Sequence, residues 1–212
     1  MSGDSSGLAV LAHEIRSPVA ALVAIADAYP GADGTRQARL LELAEAALAS
    51  IERLLVEAPA ASLRVERLDP GRLARDAAET AALTSACSVV ARTETGLVVD
   101  GDPERLRQAL ANLIGNAIGH SPAGGEVTVT ADRRGDSIAI EVADEGDGIP
   151  VADLERMFEP GVRLKTDRPG SGLGLAIVRA IARAHGGEVE VESTPGQGAT
   201  FRLVLPGASG AP

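Results

Sequence analysis

The chain has 212 residues and 45% of them are hydrophobic, which is enough for one large or two small domains with a substantial core. Only 1% are aromatic, so Leu, Val, Ile and Ala must fill that core. Asp and Glu outnumber Lys and Arg by 30 to 20, giving a formal net charge of −10. Such an acidic chain is a poor candidate for binding nucleic acid, whose phosphate backbone favours clustered basic residues.

The single cysteine, Cys87, excludes an intrachain disulfide and a metal site built from several cysteines. No apolar run approaches the roughly 20 residues of a membrane span, and no charged-then-apolar leader opens the sequence. We therefore expect a cytoplasmic protein with no membrane partner.

The first predicted element is a helix over about residues 8–28, because its apolar residues recur three and four apart. Such a heptad pattern is typical of a helix packed against other helices. Residues 1–7 are small and polar and are expected to be frayed, and a proline inside the pattern is expected to kink the helix. The apolar positions are Leu8, Leu11, Ile15, Pro18, Leu22, Ile25 and Tyr29.

His13 lies off this apolar stripe, towards solvent, with Glu14 beside it and Ser17 one turn further on. Taken alone, a solvated surface histidine is as good an interpretation as a functional one. A zinc site of the H-E-x-x-H kind is excluded, because Ser17 stands where the second histidine would be.

A turn over residues 29–34 leads to a second predicted helix, from about Thr35 to Ala58. Two helices with one apolar stripe each cannot bury both stripes alone. We therefore predict that residues 8–58 pair with a second copy to form a homodimeric four-helix bundle. The apolar face of the second helix comprises Leu40, Leu41, Ala44, Ala47, Leu48, Ile51, Leu54 and Leu55.

The remainder predicts an α/β sandwich with a mixed sheet, which makes the whole chain α+β. Two helices begin after Asp69 and Asp102, since each Asp can cap the exposed amides and is followed by Pro. A third helix is predicted over 173–184, two hairpins over 127–142 and 188–205, short strands within 63–68 and 88–99, and a glycine-containing loop over 144–172. The predicted domains are residues 1–60 and 61–206, followed by a tail over 207–212.

Asn112 and Asn116 lie one helical turn apart, so their side chains share a helix face. Amide oxygens placed in this way can hold a magnesium ion that in turn holds phosphates. Solvated or capping asparagines are the ordinary alternative.

Asp144 directly follows a predicted strand, and Gly146 and Gly148 follow it closely. The glycines would let the backbone approach a flat ligand. The carboxylate of Asp144 could accept a hydrogen bond from an exocyclic amine, which distinguishes adenine from guanine. An ordinary acidic turn is the alternative.

The loop after Phe158 holds three cations, Arg163, Lys165 and Arg168, and it ends in the glycine-rich sequence GSGLG at residues 170–174. Glycines at a helix start offer backbone amides and a positive dipole to a phosphate. A dinucleotide fingerprint competes with this interpretation, but that motif follows the first strand of a βαβ unit.

In this order, the motifs HEIRSP, NLIGNAIGH, DEGDGIP, GSGLGLAIV and TPGQGATF resemble those of bacterial two-component sensor histidine kinases with a Bergerat-type (GHKL) ATP-binding domain. The resemblance covers about residues 8–206 and includes Gly101-Asp102-Pro103. It implies an ATP-dependent protein-histidine kinase in which residues 1–60 dimerise and carry the phosphoacceptor, and residues 61–206 bind ATP and Mg²⁺.

The resemblance also implies roles for individual residues. His13 would accept the γ-phosphoryl group, Glu14 would be its general base, and Ser17 would bear on dephosphorylation of the partner. Asn116 would bind magnesium and Asp144 the adenine amine. The other implied nucleotide contacts are Asn112, His120, Gly146, Gly148, Arg163, Lys165, Gly170, Gly172, Leu173 and Gly174.

The implied partner is the receiver domain of a response regulator. Input would come from a separate sensor protein, the alternative being that the chain is a fragment. Gly119 departs from the family, which commonly has Lys or Arg there, and Ser17 stands where Thr or Asn often occurs. Gly119 favours an alternative function, a non-catalytic dimeric phosphotransfer or scaffold protein with a vestigial nucleotide domain. A related ATPase or an anti-sigma-type serine kinase would not need the His-Glu hairpin of residues 8–58.

Overall fold

The computed structural model of the protein describes residues 4–57, 63–164 and 172–208. Within residues 4–57, the described side chains are those of residues 15–48, 50 and 51. The chain divides into two compact units. One consists of Met1–Ser62 and Pro160–Leu173, and the other consists of Leu63–Glu159 and Gly174–Pro212.

The first unit contains a helical hairpin of α1 (Asp4–Ala28) and α2 (Gly34–Glu57), joined through a 3-10 turn over Tyr29–Gly31. Helix α1 begins at Asp4, so the expectation that residues 4–7 are frayed is wrong. An acidic residue is favourable at a helix start, where it meets the positive end of the dipole. Among the described residues, no helix is both long and apolar enough to cross a membrane.

The hairpin partly buries one apolar stripe and leaves other apolar residues exposed. Ile15, Leu22 and Ile25 are half-buried and Pro18 is buried within the uninterrupted α1, as the heptad pattern predicts. A second set remains largely open in the single chain, with side-chain exposures between 43% and 57%: Val19, Val23, Leu41, Leu43 and Leu48.

The second unit is built on a mixed sheet of five strands in the order β2-β4-β5-β7-β6. Strand β2 runs parallel to β4, and the other neighbours are antiparallel. The α+β fold with a mixed sheet is therefore confirmed. The strands are β2 (Ser88–Thr93), β4 (Glu126–Arg134), β5 (Ser137–Ala143), β6 (Glu188–Ser193) and β7 (Ala199–Pro206).

Helices α3 (Pro70–Ala82), α4 (Pro103–His120) and α5 (Gly174–Ala184) contact the sheet and one another. Alternate strand residues face this helical layer, because successive side chains in a strand point to opposite faces. Among the described residues, the buried core is aliphatic apart from Phe158, Phe201, Met157 and Cys87, as the low aromatic content requires. Its fully buried members include Leu106, Leu110, Leu113, Val127, Val129, Ile138, Ile140, Phe201 and Leu203.

Asp102 fixes the start of α4. Its Oδ1 accepts hydrogen bonds from the backbone N–H of Glu104 (3.0 Å) and Arg105 (3.1 Å), and its Oδ2 from that of Arg64 (2.9 Å). Burial alone would raise the pKa of this carboxyl, but the three backbone donors and the charge of Arg105 together outweigh it and lower the pKa. Asp69 caps α3 in the same way, through the N–H of Gly71.

The short strands differ from the sequence prediction. Within 63–68 only Glu66–Leu68 forms a strand, β1, which pairs with β3 (Val99–Gly101) in a separate two-stranded sheet. The two strands predicted within 88–99 therefore belong to different sheets, because β2 pairs with β4 whereas β3 pairs with β1. The loop after β5 contains two 3-10 turns, Val151–Asp153 and Arg156–Phe158.

Candidate functional site

One side of helix α4 carries Asn112, Asn116 and His120, spaced four residues apart and all half-buried. The side-chain nitrogen Nδ2 of Asn112 donates to the carbonyl of Gly174 (3.4 Å), the first residue of α5. At the other end of the row, the carbonyl of His120 lies against Gly146. This side of α4 thus leads from the start of α5 to the loop that follows β5.

The start of α5 is suited to an anion. The first backbone N–H groups of a helix have no partner within the helix and lie at the positive end of its dipole. The described helix begins at Gly174, beside Asn112. A phosphate placed there would meet backbone donors from α5 and an amide side chain from α4.

Asp144 lies at the opposite end of the row and is only 9% exposed. Its Oδ1 accepts hydrogen bonds from the backbone N–H of Gly146 (2.8 Å) and of Ala199 (3.3 Å). Within the part of the chain that the structure describes, no hydrogen bond reaches Oδ2. Burial raises the pKa of the Asp144 carboxyl, and the two backbone donors and His120 offset this only in part. A ligand that donates to Oδ2 would stabilise the ionised form.

The glycines after Asp144 are required by packing within the protein. A Cβ on Gly146 would lie 2.5 Å from the carbonyl oxygen of His120. Gly148 has a φ of +67°, and a Cβ there would collide with the carbonyl of Thr194. The sequence interpretation assigned these glycines to close approach of a ligand. The structure shows that they let the loop lie against α4 and the last hairpin.

The turn between β6 and β7 clamps this loop, which sequence reasoning missed. The N–H of Gly196 donates to the carbonyl of Asp147 (2.7 Å). The hydroxyl of Ser193 accepts from the N–H of Ile149 and donates to the carbonyl of Gly198, both at 2.8 Å. The motif TPGQGATF was the available signal, but it had been assigned no role.

A second missed contact joins α5 to the end of the loop. Arg179 donates from its guanidinium to the carbonyl of Phe158 (2.9 Å), and its Cζ lies 5.2 Å from the centre of the Phe158 ring. Phe158 is only 6% exposed. A hydrogen bond combined with a cation–π contact fixes the point where the chain leaves the 3-10 turn Arg156–Phe158.

Within the other unit, the residues that flank the basic loop meet each other. The N–H of Gly161 donates to the carbonyl of Gly172 (3.1 Å), and Gly172 has a φ of +73°. A Cβ on Gly172 would lie 2.8 Å from the carbonyl of Val162 and 3.0 Å from Cγ of Arg163, so only glycine fits there. Leu173 is buried. Lys165, Arg168 and Gly170 lie outside the described residues.

The proposed phosphoacceptor motif lies on α1. The side chains of His13 and Glu14 lie outside the described ones, and Ser17 is exposed. On α4, a Cβ built on Gly119 meets no atom within 4 Å, so the fold does not require glycine at that position.

Residues 101–209 match a family described as Histidine kinase-, DNA gyrase B-, and HSP90-like ATPase. This range includes α4, the loop after β5, and the hairpin of β6 and β7. It therefore contains both Asp144 and Asn112 and their described hydrogen-bond partners.

The chain is similar over 94% of its length to two named bacterial proteins. It is 36% identical to the sensor-like histidine kinase SenX3 of Mycobacterium tuberculosis, of which it covers 53%. It is 32% identical to the adaptive-response sensory kinase SasA of a Synechococcus species, of which it covers 58%. The chain thus spans about half the length of the curated relatives it matches.

A solved structure has a similar fold. It is the crystal structure of full-length ShkA in complex with AMPPNP, with a TM-score of 0.73 and 29% sequence identity. The similarity covers 97% of the present chain and 46% of that one.

Two glycines of the β6–β7 turn provide a matched test of the packing around Asp144. Gly196 and Gly198 both have φ near +80°, but a Cβ on Gly196 meets nothing, whereas one on Gly198 would collide with the Asp144 carbonyl. Gly196→Ala should lower the free energy of unfolding by about 1–2 kcal/mol, the cost of the left-handed backbone. Gly198→Ala should cost about 1–3 kcal/mol more through overpacking. Urea unfolding measures both, and equal losses would contradict the clamp.

Proposed function

Because the chain belongs to the family of histidine kinase-, DNA gyrase B- and HSP90-like ATPases, we propose that it is an ATP-dependent protein-histidine kinase that phosphorylates itself on His13. The observation that carries this proposal is the row of side chains on α4. One end of the row lies beside Asp144, whose carboxylate can accept a hydrogen bond from an amine. The other end lies beside Gly174, where the start of α5 can bind a phosphate. The names of the relatives support the kinase activity.

The proposed nucleotide lies along α4 with adenine at one end and phosphates at the other. Oδ2 of Asp144 accepts a hydrogen bond from the exocyclic amine, while Oδ1 stays bound to the backbone N–H of Gly146. Asn112 and the first amides of α5 hold phosphate oxygens. His120, Gly148 and the segment with Arg163, Lys165, Gly170, Gly172 and Leu173 complete the proposed contacts.

Magnesium fits the donor set on α4. Among the described residues, no three His, Cys, Asp or Glu side chains come together as a cation site. Mg²⁺ commonly keeps several waters and binds through few protein oxygens plus the substrate phosphates. The amide oxygen of Asn116, with Asn112 one turn away, would hold the ion, which would neutralise charge on the transferring group.

The chemistry places few demands on the protein beyond position and charge. A ring nitrogen of His13 attacks the γ-phosphorus, the bond from that phosphorus to the bridging β,γ-oxygen breaks, and ADP leaves. Glu14 accepts the proton from the other ring nitrogen as its positive charge develops. The phosphoryl group then passes from His13 to an aspartate of a receiver domain, the partner implied by the resemblance. Ser17 would bear on dephosphorylation of that partner.

We also propose that residues 1–60 are the dimerisation and phosphoacceptor domain and that residues 61–206 are the ATP-binding domain, followed by a tail. The apolar residues left exposed on the hairpin support a homodimer through residues 8–58. Val23 and Leu41 are more than half exposed in the single chain. A second hairpin packed on them would form a four-helix bundle and remove that apolar surface from water.

The dimer can be tested with two valines of equal exposure. Val23 on α1 is 57% exposed and Val65 in the other unit is 58% exposed. Val23→Asp should convert a dimer into a monomer, because each of two symmetric sites then loses roughly 1.5–3 kcal/mol of burial and gains a charge. Val65→Asp should remain dimeric. Light scattering on the eluting protein measures this, and a wild-type monomer at micromolar concentration would refute the bundle.

The variant Asp144→Asn should weaken ATP binding without lowering the stability of the fold. The Asn side-chain oxygen can still accept from Gly146, but its amide group would face the adenine amine, so affinity for ATP should fall roughly ten- to hundredfold, or about 1.5–3 kcal/mol. The pKa of Asp144 is raised by burial, so the ionised carboxylate costs stability above that pKa. Asp144→Asn should therefore unfold at a urea concentration no lower than wild type at neutral pH.

The pH dependence checks this interpretation of Asp144. As pH falls through the raised pKa, the wild-type carboxyl becomes neutral and the stability difference from Asp144→Asn should vanish. A variant that is clearly less stable than wild type at neutral pH would show that the charge itself supports the fold.

The decisive experiment is incubation with γ-labelled ATP and Mg²⁺, followed by acid and base treatment. Label that is lost in acid, survives base and vanishes in His13→Gln would establish the kinase, since phosphohistidine is acid-labile. His13→Gln should still bind ATP as wild type does, whereas Asp144→Asn should show weaker ATP binding and less label together. Acid-stable label would indicate a serine product.

The same preparation separates the second candidate function, which Gly119 favours. A scaffold with a vestigial nucleotide site should show no heat of ATP binding by calorimetry. ATP binding without label would instead trace the defect to phosphoryl transfer. Gly119→Arg, for which α4 has room, should then restore label by supplying the cation that the family commonly has at this position.

A further inference from the structure

His185 connects the ends of the two helices that form the candidate nucleotide site. It directly follows α5, and its backbone N–H donates to the carbonyl of Ala182 (3.0 Å). In its ring, Nδ1 lies 2.7 Å from the carbonyl oxygen of Ile181, on α5. Nε2 lies 2.9 Å from the backbone nitrogen of Asp102, the residue that caps α4. One imidazole thus bridges the end of α5 and the start of α4.

The partners of this ring determine its protonation state. A carbonyl oxygen can only accept, so Nδ1 must carry a proton and donate it to Ile181. A backbone N–H can only donate, so Nε2 must offer a lone pair to Asp102. The bridge therefore requires neutral imidazole with the proton on Nδ1, because a protonated Nε2 would meet another N–H group.

The motif Gly101-Asp102-Pro103 is accounted for by this bridge. A Cβ on Gly101 would lie 3.0 Å from Cδ2 of His185 and 3.0 Å from Leu106, so a larger residue would press the ring away. Asp102 supplies the N–H to Nε2 and caps α4 with its carboxylate. Pro103 then begins the helix.

The two helices are also joined where the phosphates are proposed to bind. Asn112 of α4 donates to the carbonyl of Gly174 at the start of α5. The His185 bridge joins the opposite end of α5 to the first residue of the α4 cap. With one connection at each end of α5, both the position and the direction of α4 are fixed against it.

We propose that His185 is a positioning residue for the nucleotide site, whose neutral ring holds α4 so that Asn112 and Asn116 meet the phosphates beside the start of α5. This inference rests on the proposed ATP binding. Without the bridge, α4 would adopt its binding-competent placement only part of the time, and apparent affinity falls by that fraction. Loss of one hydrogen bond of about 1 kcal/mol corresponds to about a fivefold loss.

The charged groups around the ring do not substitute for this acceptor. Both carboxylate oxygens of Asp102 already accept backbone N–H groups. Asp100 forms an ion pair with Arg67 (3.5 Å) on the paired strand. Arg105, Glu104 and Arg183 are the other charged side chains on the flanking turns of α4 and α5. The Asp102 N–H therefore depends on Nε2 of His185 as its acceptor.

The test uses His185→Leu, which removes the bridge to Asp102, and His185→Gln, whose amide still offers an acceptor and a donor. Binding of AMPPNP with Mg²⁺ is measured by calorimetry. His185→Leu should bind about fivefold more weakly than wild type, and His185→Gln should rescue binding to within about twofold of wild type.

Each outcome decides between explanations. A wild type that binds no AMPPNP would refute the proposed ATP site itself. A His185→Leu protein that melts lower but binds as wild type would show a purely structural role and overturn the proposal. A His185→Gln protein that binds as weakly as His185→Leu would also overturn it. If His185→Leu does not fold, His185→Asn, whose amide is too short to reach both partners, takes its place, and unchanged binding in that variant would again refute the role.

Discussion

The carboxylate of Asp144 is buried, and a buried charge must be met by hydrogen-bond donors. Its two donors come from separate parts of the chain, Gly146 in its own loop and Ala199 at the start of β7. For both N–H groups to reach one oxygen, the loop, the end of α4 and the β6–β7 turn must lie in close contact. The glycines packed around Asp144 follow from this single requirement.

Helix α4 carries that arrangement to the other end of the proposed site. The helix meets the Asp144 loop at its last residue and the start of α5 at Asn112. Its own start is set by the Asp102 cap, and His185 bonds to the same residue. A nucleotide would therefore be held mainly by one rigid helix. Such a scaffold suits phosphoryl transfer, which depends on position and charge more than on reactive side chains.

The resemblance to sensor histidine kinases is confirmed by the family match and by relatives at 32–36% identity. The match covers residues 101–209 and leaves the hairpin outside it. A helical hairpin is specified by a heptad pattern that many unrelated sequences share, whereas glycines in steric contact with backbone carbonyls tolerate almost no substitution. Val19 and Leu48 show what such a pattern leaves open. The sequence shows that both residues are apolar, but it does not show which surface covers them.

From the sequence alone, the α+β class, the principal helices and hairpins, and the candidates Asn112, Asp144 and Gly174 could be predicted, because periodicity, capping residues and turn glycines are local signals. Only the tertiary structure decided that β2 and β3 belong to different sheets, that Ser193 and Arg179 anchor the loops, and that His185 bonds to Asp102 across 83 residues. Those contacts join segments far apart in the chain, and no local pattern records which distant backbone groups will meet once the core has packed.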